Sequence, residues 1–537
     1  MLSYFLYLYE MKTINFACAF FLSQFYFSQT SSNLDVLSYD IRIELTDQSN
    51  SIDVYEEIAF VLTDQSGIVS FDLDSKNEDG SGMELLECAS KGNEEIVFEL
   101  KNDKLVIAGL SRNQSEEHIV MIKYQGIPSD GLVIGKNMHG DRTFFGDNWP
   151  NRAHLWFACN DHPSDKAKVA FEIIAPAKYE VIANGTLKEK IENVNGKSTH
   201  RYETDYVLPT KVMVIGVADF SIADFGPANN PGIPVSAWVY PQDETKGFSD
   251  FGLAPDILSW FEAKIAPYPY DKLANVQSTT RFGGMENASC IFYDEKAIDG
   301  KRSSETLLAH EIAHQWFGNS ASEKDWSHLW LSEGFATYLT NVYVQEVYGD
   351  EAFFKQLEKD KARVIRFNNA NPLPIIDTVS TDLMSLLNAN AYQKGSWFLH
   401  MLRNEIGEDY FWEALRVYYK TYEFNNADSK DFQAIVEQEC HCDLDAFFNQ
   451  WLRQSGQPEI RVKAKKKKYG VQLTISQIQQ NYFEFPLEFE FKFENQVEKY
   501  YHKLILNEKS IKIRIDLPNT YKSFVIDPNH KLLYELK

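Results

Sequence analysis

The stretch LLAHEIAHQWFGNSASEKDWSHLWLSEGFATYL runs from Leu307 to Leu339 and carries two histidines four residues apart. On a helix, His310 and His314 lie on one face, one turn apart, so both imidazoles can reach a single Zn²⁺. Glu311 is rotated by about 100° around the helix axis, so its carboxylate points beside the metal and suits a general base. This arrangement is the H-E-x-x-H pattern of zinc hydrolases.

The second half of the stretch predicts a third metal ligand. Gly318-Asn319 is predicted to end the first helix, and a second helix is predicted over about 327–348. Glu333 then falls in the second turn, where an antiparallel return can bring its carboxylate to the metal. Three protein ligands leave the fourth position open, which is typical of a catalytic site. The alternative is an ordinary pair of helices on which these residues occur by chance.

The segment RFGGMENASC, residues 281–290, lies just before the first helix. Gly283 and Gly284 leave backbone that a ligand can approach closely. An extended peptide can add along such a segment, Met285 included, by main-chain hydrogen bonds. The Glu286 carboxylate can hold a free α-ammonium group through a charge-assisted hydrogen bond. The alternative is a turn at a strand edge with a glutamate on the surface.

Tyr392 lies near the start of another predicted helix, NAYQKGSWFLHMLR, at residues 390–403. A phenol whose O–H points at the metal can stabilise the oxyanion of a tetrahedral intermediate. The alternative is a tyrosine that only packs in the core or caps the helix.

The periodicity of apolar residues divides the chain into three parts. Residues 31–240 show short alternating runs rich in Val, Ile and Tyr, which predict a large antiparallel β domain. Residues 241–456 are predicted to be mainly helical, and strands return in a small domain at 457–537. The predicted fold class is therefore multidomain α+β, with a helical domain between two β domains.

The first 30 residues predict a signal peptide. Met11 and Lys12 precede an apolar run from Ile14 to about Phe27, and a polar stretch follows. This pattern starts at Met11, which we therefore expect to be the natural start. The apolar run is short for a transmembrane helix, so we expect no stable membrane insertion after cleavage. The prediction is an exported bacterial protein, periplasmic or extracellular; the alternative is an uncleaved anchor.

The charge balance argues against nucleic-acid binding, because Lys and Arg number 53 against 77 Asp and Glu, a net charge of −24. The Lys465–Lys468 run is predicted to lie on a solvated strand or turn.

The six cysteines, one of them within the predicted signal peptide, do not form a disulfide framework. Cys440-His441-Cys442 does not by itself complete a metal site, and one disulfide remains open without an assigned pair.

Together these motifs resemble the M1 family of zinc aminopeptidases, which includes aminopeptidase N and leukotriene A4 hydrolase. WFACNDHPSDKA at 156–167 and FFNQWLRQSGQPEI at 447–460 extend the resemblance over nearly the whole mature chain. The resemblance implies a β saddle, a thermolysin-like (gluzincin) catalytic domain and a C-terminal β sandwich. The similar motif residues are Gly283-Gly284-Met285-Glu286-Asn287, His310-Glu311-x-x-His314, Glu333, and Tyr392 in Tyr-x-Lys-Gly.

The resemblance also assigns a role to each of these residues. It implies one Zn²⁺ per chain and hydrolysis by an activated water molecule. The implied roles are metal ligation by His310, His314 and Glu333, general base catalysis by Glu311, stabilisation of the tetrahedral intermediate by Tyr392, amino-terminus binding by Glu286, and backbone pairing with the peptide by Gly283, Gly284 and Met285.

One region departs from the family pattern. Many members carry Glu or Gln ten residues before the position of Cys159, as a second contact to the amino terminus, but this chain has Trp149 there. Either Asp147 or Asn148 takes over this contact, or an aromatic side chain lines the pocket for the first residue. Ala158 also replaces the usual proline.

The predicted function is a zinc-dependent aminopeptidase, acting as a monomer on peptides with a free N-terminus. One alternative is a thermolysin-type endopeptidase, but such an enzyme needs no anchor for an amino terminus, so Glu286 argues against it. A second alternative is a catalytically inactive binding protein on the same fold, but such chains usually lose a ligand or the base. An epoxide hydrolase side activity, known in one branch of the family, stays open.

Overall fold

The computed structural model describes residues 33–92, 94–113, 116–227, 232–493 and 499–537. The predicted signal peptide at 1–30, with Met11, lies outside the described residues, and export stays a prediction. Within the described ranges, no helix is long and apolar enough to cross a membrane.

The first part of the described chain is built almost entirely from strands. They alternate buried and exposed residues, as in the first strand, where Val36, Tyr39, Ile41 and Ile43 are buried. This is the pattern of a sheet that packs one face on a core. The strands are β1 (Leu34–Glu44), β2 (Ile52–Leu62), β3 (Ile68–Asp72), β4 (Gly82–Ser90), β5 (Val97–Lys101), β6 (Lys104–Ala108), β7 (Glu117–Ile127), β8 (Leu132–Lys136), β9 (Arg142–Gly146), β10 (Lys166–Pro176), β11 (Glu180–Ala183), β12 (Thr186–Glu192), β13 (Lys197–Glu203), β14 (Leu208–Pro209) and β15 (Ile215–Ala218).

Three sheets arrange these strands. An eight-stranded sheet has the order β12-β13-β10-β1-β2-β7-β4, with β14 beside β10, and two smaller sheets have the orders β11-β15-β9-β8 and β3-β6-β5. The expectation of a wholly antiparallel domain is wrong at the centre of the large sheet, where β1 and β10 pair in parallel. Parallel neighbours need a long crossover connection, and here the connection is the whole segment from β2 to β9, which no local pattern reveals.

A mixed sheet of parallel and antiparallel strands carries the glycine-rich motif on its edge strand. Strands β16 (Ser221–Pro227), β17 (Pro234–Val239), β18 (Leu273–Ser278), β19 (Gly284–Met285) and β20 (Cys290–Asp294) pair in the order β16-β17-β18-β20-β19. This sheet therefore begins before residue 240, where the sequence placed the start of the middle domain; the division itself stays a prediction. The short edge strand β19 belongs to the glycine-rich motif.

The rest of the middle part is mainly helical. Two short strands, β21 (Ala321–Glu323) and β22 (Asn425–Ala427), pair with each other. The helices are α1 (Glu244–Phe251), α2 (Ala254–Lys264), α3 (Glu305–Ala313), α4 (Trp330–Tyr348), α5 (Asp350–Ala370), α6 (Gly395–Ile406), α7 (Glu408–Tyr422), α8 (Ser429–Cys440) and α9 (Asp445–Phe448).

The helices that carry the H-E-x-x-H motif and Glu333 have different bounds from those predicted. Helix α3 ends at Ala313, before Gly318-Asn319, because the N–H groups of Gln315 and Trp316 bond the carbonyls three residues earlier, those of Ile312 and Ala313, and not those four residues earlier. Helix α4 begins at Trp330, after a short 3₁₀ turn, so Glu333 lies in its first turn and not in its second.

Two small sheets form the C-terminal part. Their inner residues are apolar, as shown by the buried Leu473 and Ile475 of one sheet and Phe489 and Phe491 of the other, which is the arrangement of a β sandwich. The multidomain α+β fold predicted from the sequence is confirmed. The strands are β23 (Glu459–Lys467), β24 (Gly470–Gln477), β25 (Phe485–Phe493), β26 (Lys499–Leu506), β27 (Ser510–Asp516), β28 (Tyr521–Ile526) and β29 (Glu535–Leu536), in the orders β27-β24-β23-β29 and β26-β25-β28.

Cys440 and Cys442 form a disulfide at the end of α8, which assigns the pair that the sequence left open. His441 between them has a left-handed conformation, with φ of 54°, and ends the helix. Both sulfur atoms are used in this bond, so the motif offers no thiolate to a metal.

Candidate metal centre and peptide-binding site

Two histidines and a glutamate converge where α3 ends and α4 begins. His310 Nε2 and His314 Nε2 lie 3.1 Å apart, and each lies 3.3 Å from Oε2 of Glu333. Within the described part of the chain, this is the one group of three His, Cys, Asp or Glu side chains whose donor atoms all lie within 4.8 Å of one another. Two imidazoles and one carboxylate are a donor set of catalytic metal sites.

The state of the Glu333 carboxylate fits a bound cation. Its Oε2 is buried and lies within ion-pair distance of the ring nitrogens of His310 and His314, but neither contact has hydrogen-bond geometry. A buried anionic oxygen without a hydrogen bond is costly unless a cation lies beside it. Burial opposes ionisation, but His314 and His310 hold the pKa of Glu333 below its usual range, so the group is an anion. The three side chains therefore fit a divalent metal ion.

The second ring nitrogen of His314 fixes the orientation of the imidazole. Nδ1 lies 3.1 Å from the carbonyl oxygen of Phe317 and 3.1 Å from Oγ of Ser332. An N–H on Nδ1 that donates to the carbonyl leaves the lone pair of Nε2 available to a metal ion. Gly318 makes room for this contact: its φ is +123°, and a Cβ there would lie 2.3 Å from Ser332 Oγ.

Glu311 lies beside the three donors and against the glycine-rich motif. A Cβ on Gly284 would lie 2.3 Å from its Oε1, so the carboxylate packs directly on the backbone of β19. Burial raises the pKa of Glu311 well above its usual range, and His314 only partly offsets this. A buried carboxylate with high proton affinity suits a general base.

Glu286 follows the edge strand β19, and its side chain lines the same cavity. The residue is 5% exposed, and its Oε1 has no hydrogen-bond partner among the described residues. Its backbone carbonyl accepts two hydrogen bonds, from Gln315 Nε2 at 2.9 Å and from Asn319 Nδ2 at 2.6 Å. These bonds connect the glycine-rich motif to the turn after α3 and hold Glu286 in place relative to the metal donors.

The sequence motifs do not identify Gln315 and Asn319. Both residues are fully buried, and Gln315 Oε1 also accepts the backbone N–H of Ser289 at 3.0 Å. The only signal in the sequence is their position in the buried segment after His314, where Gln315 comes directly after it and Asn319 five residues after it. Nothing local shows that their amides reach the carbonyl of a residue some thirty positions earlier.

Tyr392 reaches the site from a π-helical turn, Asn390–Lys394, just before α6. Its ring stacks on that of His310, with centroids 6.1 Å apart and an interplanar angle of 12°. Helices α4 and α6 approach closely at two glycines: a Cβ on Gly334 would lie 3.0 Å from Cα of Gly395. Burial raises the pKa of Tyr392 well above its usual range, so its phenol stays an O–H donor.

A cavity of about 230 Å³ joins all of these groups. Trp149 closes one side; it is 2% exposed and makes edge-on ring contacts with Phe282 at 6.2 Å and with Trp326 at 5.8 Å. The structure thus brings together every site residue predicted from the sequence. The lining residues are Trp149, Phe282, Gly283, Gly284, Met285, Glu286, Leu307, His310, Glu311, His314, Glu333, Leu387 and Tyr392.

The structure favours the aromatic alternative at Trp149, whose role in substrate binding stays a prediction. Asp147 accepts a hydrogen bond from Arg152 at 2.8 Å, and Asn148 donates one to the carbonyl of Thr210 at 2.9 Å. Of these three neighbours in sequence, only Trp149 lines the cavity. The aromatic side chain of Trp149 therefore lines the cavity at the position where many family members have a polar contact to the amino terminus.

Family models match two long parts of the chain. The one described as Peptidase M1 N-terminal domain matches residues 36–212, and the one described as Peptidase family M1 domain matches residues 250–451. The chain belongs to peptidase family M1. The family recognised from the motifs is thereby confirmed, and a metal is implied, which agrees with the donor set of this M1 chain.

Relatives of this M1 chain are named aminopeptidases. Probable aminopeptidase 1 of Saccharolobus solfataricus is 25% identical over 517 residues, which are 90% of this chain and 63% of the relative. Glutamyl aminopeptidase of Homo sapiens is 28% identical over 338 residues, which are 60% of this chain and 35% of the relative. The M1 chain thus spans less than two thirds of the length of these relatives.

A solved structure shares the fold of this M1 chain. It is the crystal structure of Legionella pneumophila aminopeptidase A in complex with aspartic acid, which matches with a TM-score of 0.80 at 18% sequence identity. The match covers 96% of this chain and 60% of the Legionella chain. The order of a β-rich part, a helical part and C-terminal sheets is therefore shared with a solved structure of an aminopeptidase.

Proposed function

We propose that this protein is a zinc-dependent aminopeptidase that hydrolyses the first peptide bond of peptides with a free amino terminus. The observation that carries the proposal is the position of Glu286, whose buried carboxylate lines the same cavity as the metal donors and has an unpartnered oxygen among the described residues. An α-ammonium group satisfies such a carboxylate through a charge-assisted hydrogen bond. A substrate without that cation leaves the buried charge unpaired, which is costly.

Zn²⁺ is the metal that this donor set favours. Two histidines and one glutamate with an open fourth position are the ligands of catalytic zinc in several hydrolases. When bound, Zn²⁺ supplies Lewis-acid activation of a water molecule and of the scissile carbonyl. One ion per chain is proposed, because one donor group of this kind occurs in the part of the chain that the structure describes.

Three side chains take part in the proposed reaction: one transfers the proton, and the other two bind the developing oxyanion and the ammonium group of the substrate. Glu311 takes a proton from the attacking water and passes it to the leaving amine. Tyr392 donates its O–H to the carbonyl oxygen of the scissile bond as negative charge develops there. Glu286 holds the ammonium group, so that the first peptide bond lies next to Glu311 in a productive geometry.

The edge of β19 aligns the peptide in this proposal. β19 pairs with β20 and forms the edge of its sheet, and Gly283, Gly284 and Met285 line the cavity. An extended peptide can add to such an edge through main-chain hydrogen bonds. Trp149 stands at the side of the cavity, where it can contact the side chain of the first residue.

The alternatives fit the site less well. The relatives named above are aminopeptidases, which supports the same activity here. A thermolysin-type endopeptidase shares the ligands and the base but leaves Glu286 without a role. An inactive binding protein would not require that the metal ligands lie in one cavity together with Glu311 and Tyr392. From the sequence we also propose that the protein is exported, acts as a monomer and has no nucleic-acid partner.

A short peptide and its N-acetylated twin test this proposal, with the zinc content measured on the same preparation. We expect about one Zn²⁺ per chain, release of the first residue from the free peptide, and hydrolysis of the acetylated twin at least about 10³-fold slower. Equal rates would indicate an endopeptidase. A chain with neither zinc nor turnover would indicate a binding protein.

A further inference from the structure

The outer face of one C-terminal sheet carries an ordered set of positive charges. Opposed residues of neighbouring antiparallel strands share one face of a sheet. On this face the side chains are exposed or half-buried; the alternate residues of β24, such as Leu473 and Ile475, are buried, whereas Ala464 and Lys466 of β23 are exposed as well. Across β23, β24 and β27, the opposed residues of this face are Arg461–Ser476–Ser510, Lys463–Thr474–Lys512, Lys465–Gln472–Arg514 and Lys467–Gly470–Asp516.

The charges stand in two rows with a neutral row between them. Neighbouring strands lie about 4.8 Å apart, so the rows on β23 and β27 are separated by about 10 Å. Within a row, cations on alternate residues are about 7 Å apart. The rows are Arg461, Lys463, Lys465 and Lys467 on β23 and Lys512 and Arg514 on β27, and β24 between them presents Ser476, Thr474 and Gln472. We call this face the cationic trough.

Few carboxylates balance the cationic trough. Arg514 pairs with Asp516 of its own strand at 2.8 Å. Among the described residues, no carboxylate forms an ion pair with any of the other five cations. The whole chain has a net charge of −24, whereas this face is positive. Lys466 is not part of the trough, because it points to the other face and lies over the ring of Tyr521.

We propose that the cationic trough binds a linear acidic polysaccharide that carries carboxylate or sulfate groups. The distance between the two rows suits a single polymer chain lying along the strands, with its anionic groups on the cations at either side. The hydroxyl and amide groups of β24 can bond the sugar hydroxyls that face them. A short Lys- and Arg-rich run is the sequence feature typical of heparin-like binding, and a basic patch raises the local concentration of such polyanions.

Broader anionic partners fit this face less well. A nucleic-acid duplex or an anionic bilayer is wider than the trough and meets the carboxylates at its border, which are Glu459 of β23, Glu535 of β29 and Asp516 of β27. Repulsion from these carboxylates acts over about a Debye length, or roughly 10 Å at 0.1 M salt. A thin flexible polymer avoids this repulsion, because it contacts only the trough. The proposal does not depend on the peptidase activity, since the trough and the metal centre lie in different parts of the chain.

Binding of the full chain to two polyanions tests the proposal. Heparin supplies sulfate groups, polygalacturonate supplies carboxylate groups, and neutral dextran is the blank. We expect binding to at least one polyanion at low ionic strength, and its loss at about 0.5 M salt, where exposed charges are screened. Titration calorimetry measures the affinity, and the two polyanions show which anionic group is preferred.

Two triple variants separate a site from a general charge effect. K463Q/K465Q/K512Q removes charge from both rows and is expected to weaken binding at least about tenfold. K355Q/K359Q/K420Q removes the same charge from exposed lysines of α5 and α7 and is expected to weaken it less than about twofold. Peptide hydrolysis and Tm are expected to be the same in both variants as in the parent chain.

Three results would overturn the proposal. The first is no binding of the parent chain to either polysaccharide at low ionic strength. The second is an equal loss in the two triple variants, which would indicate only the net charge. The third is binding to polyglutamate or to phosphatidylglycerol vesicles without binding to the polysaccharides, which would assign the face to an acidic peptide or a membrane.

Discussion

The carboxylate of Glu311 rests on the backbone of Gly284, so closely that a Cβ on Gly284 would lie 2.3 Å from Oε1 and 2.6 Å from Cδ of Glu311. Gly284 is not among the glycines with positive φ, so its conformation is open to other residues. The second glycine of the motif is therefore required by the proposed base and not by a special turn. This contact links the peptide-binding edge to the metal centre.

Gly284→Ala tests this contact. The added methyl group must displace the Glu311 carboxylate, so we expect kcat/KM to fall about 10²-fold with an unchanged metal content. Gly283→Ala is the matched variant, because the nearest atom to a Cβ there is Leu307 Cδ1 at 3.9 Å. Its loss is expected to be less than about tenfold. Steady-state kinetics with one peptide substrate compares the two, and equal losses would show that Glu311 does not depend on Gly284.

Glu311→Gln tests the role of Glu311 in proton transfer. The amide keeps the size of the side chain but cannot accept the proton, so we expect kcat to fall by about 10²–10⁴. The metal content should be unchanged, because the three donors are other residues. Metal analysis and kinetics on the same sample check both expectations. A variant that keeps full activity would mean that another group takes the proton.

Lys211 and Glu323 form a buried ion pair next to the site, with side chains 1% and 0% exposed. Lys211→Met leaves Glu323 buried and unpaired, and we expect a loss of about 3–5 kcal/mol in stability. The double change Lys211→Met with Glu323→Met removes both charges and should recover most of this loss. Denaturant unfolding measures the three proteins. A double variant no more stable than the single one would show that the charge itself is not the reason for the loss.

Trp149 is expected to limit the size of the first residue of the substrate. Trp149→Ala removes the aromatic wall of the cavity, so the ratio of kcat/KM for a Phe substrate to that for an Ala substrate should rise by about tenfold or more. A panel of aminoacyl substrates measures the ratio before and after the change. The Tm of the variant checks that the fold is kept. An unchanged ratio in a folded variant would show that Trp149 does not line the pocket for the first residue.

The local motifs of the sequence were enough to predict the metal donors. His310, His314 and Glu333 lie in one short segment, and the helical spacing of the two histidines needs no tertiary information. The bounds of the helices were less predictable, because the early end of α3 depends on the bonds from the N–H groups of Gln315 and Trp316 to carbonyls only three residues earlier. Glu286 and Tyr392 were recognised through the family resemblance.

Contacts between distant parts of the chain could not be predicted. The support of the Glu286 carbonyl by Gln315 and Asn319 joins an edge strand to a turn, and neither amide belongs to a motif. The parallel pairing of β1 with β10 spans most of the N-terminal part. The Lys465–Lys468 run reads as one solvated segment, but the sheet register places Lys465 and Lys467 on the outer face and Lys466 on the other.

Glu286→Ala provides the most direct test of the central claim, that this cavity selects a free amino terminus. The measurement is the ratio of kcat/KM for a free peptide to that for its N-acetylated twin, in the parent chain and in the variant. We expect a ratio of at least about 10³ in the parent, because the acetylated peptide leaves the buried carboxylate unpaired. In the variant the ratio should fall by about 10² or more, with an unchanged metal content. A ratio that is the same in both proteins would contradict the account.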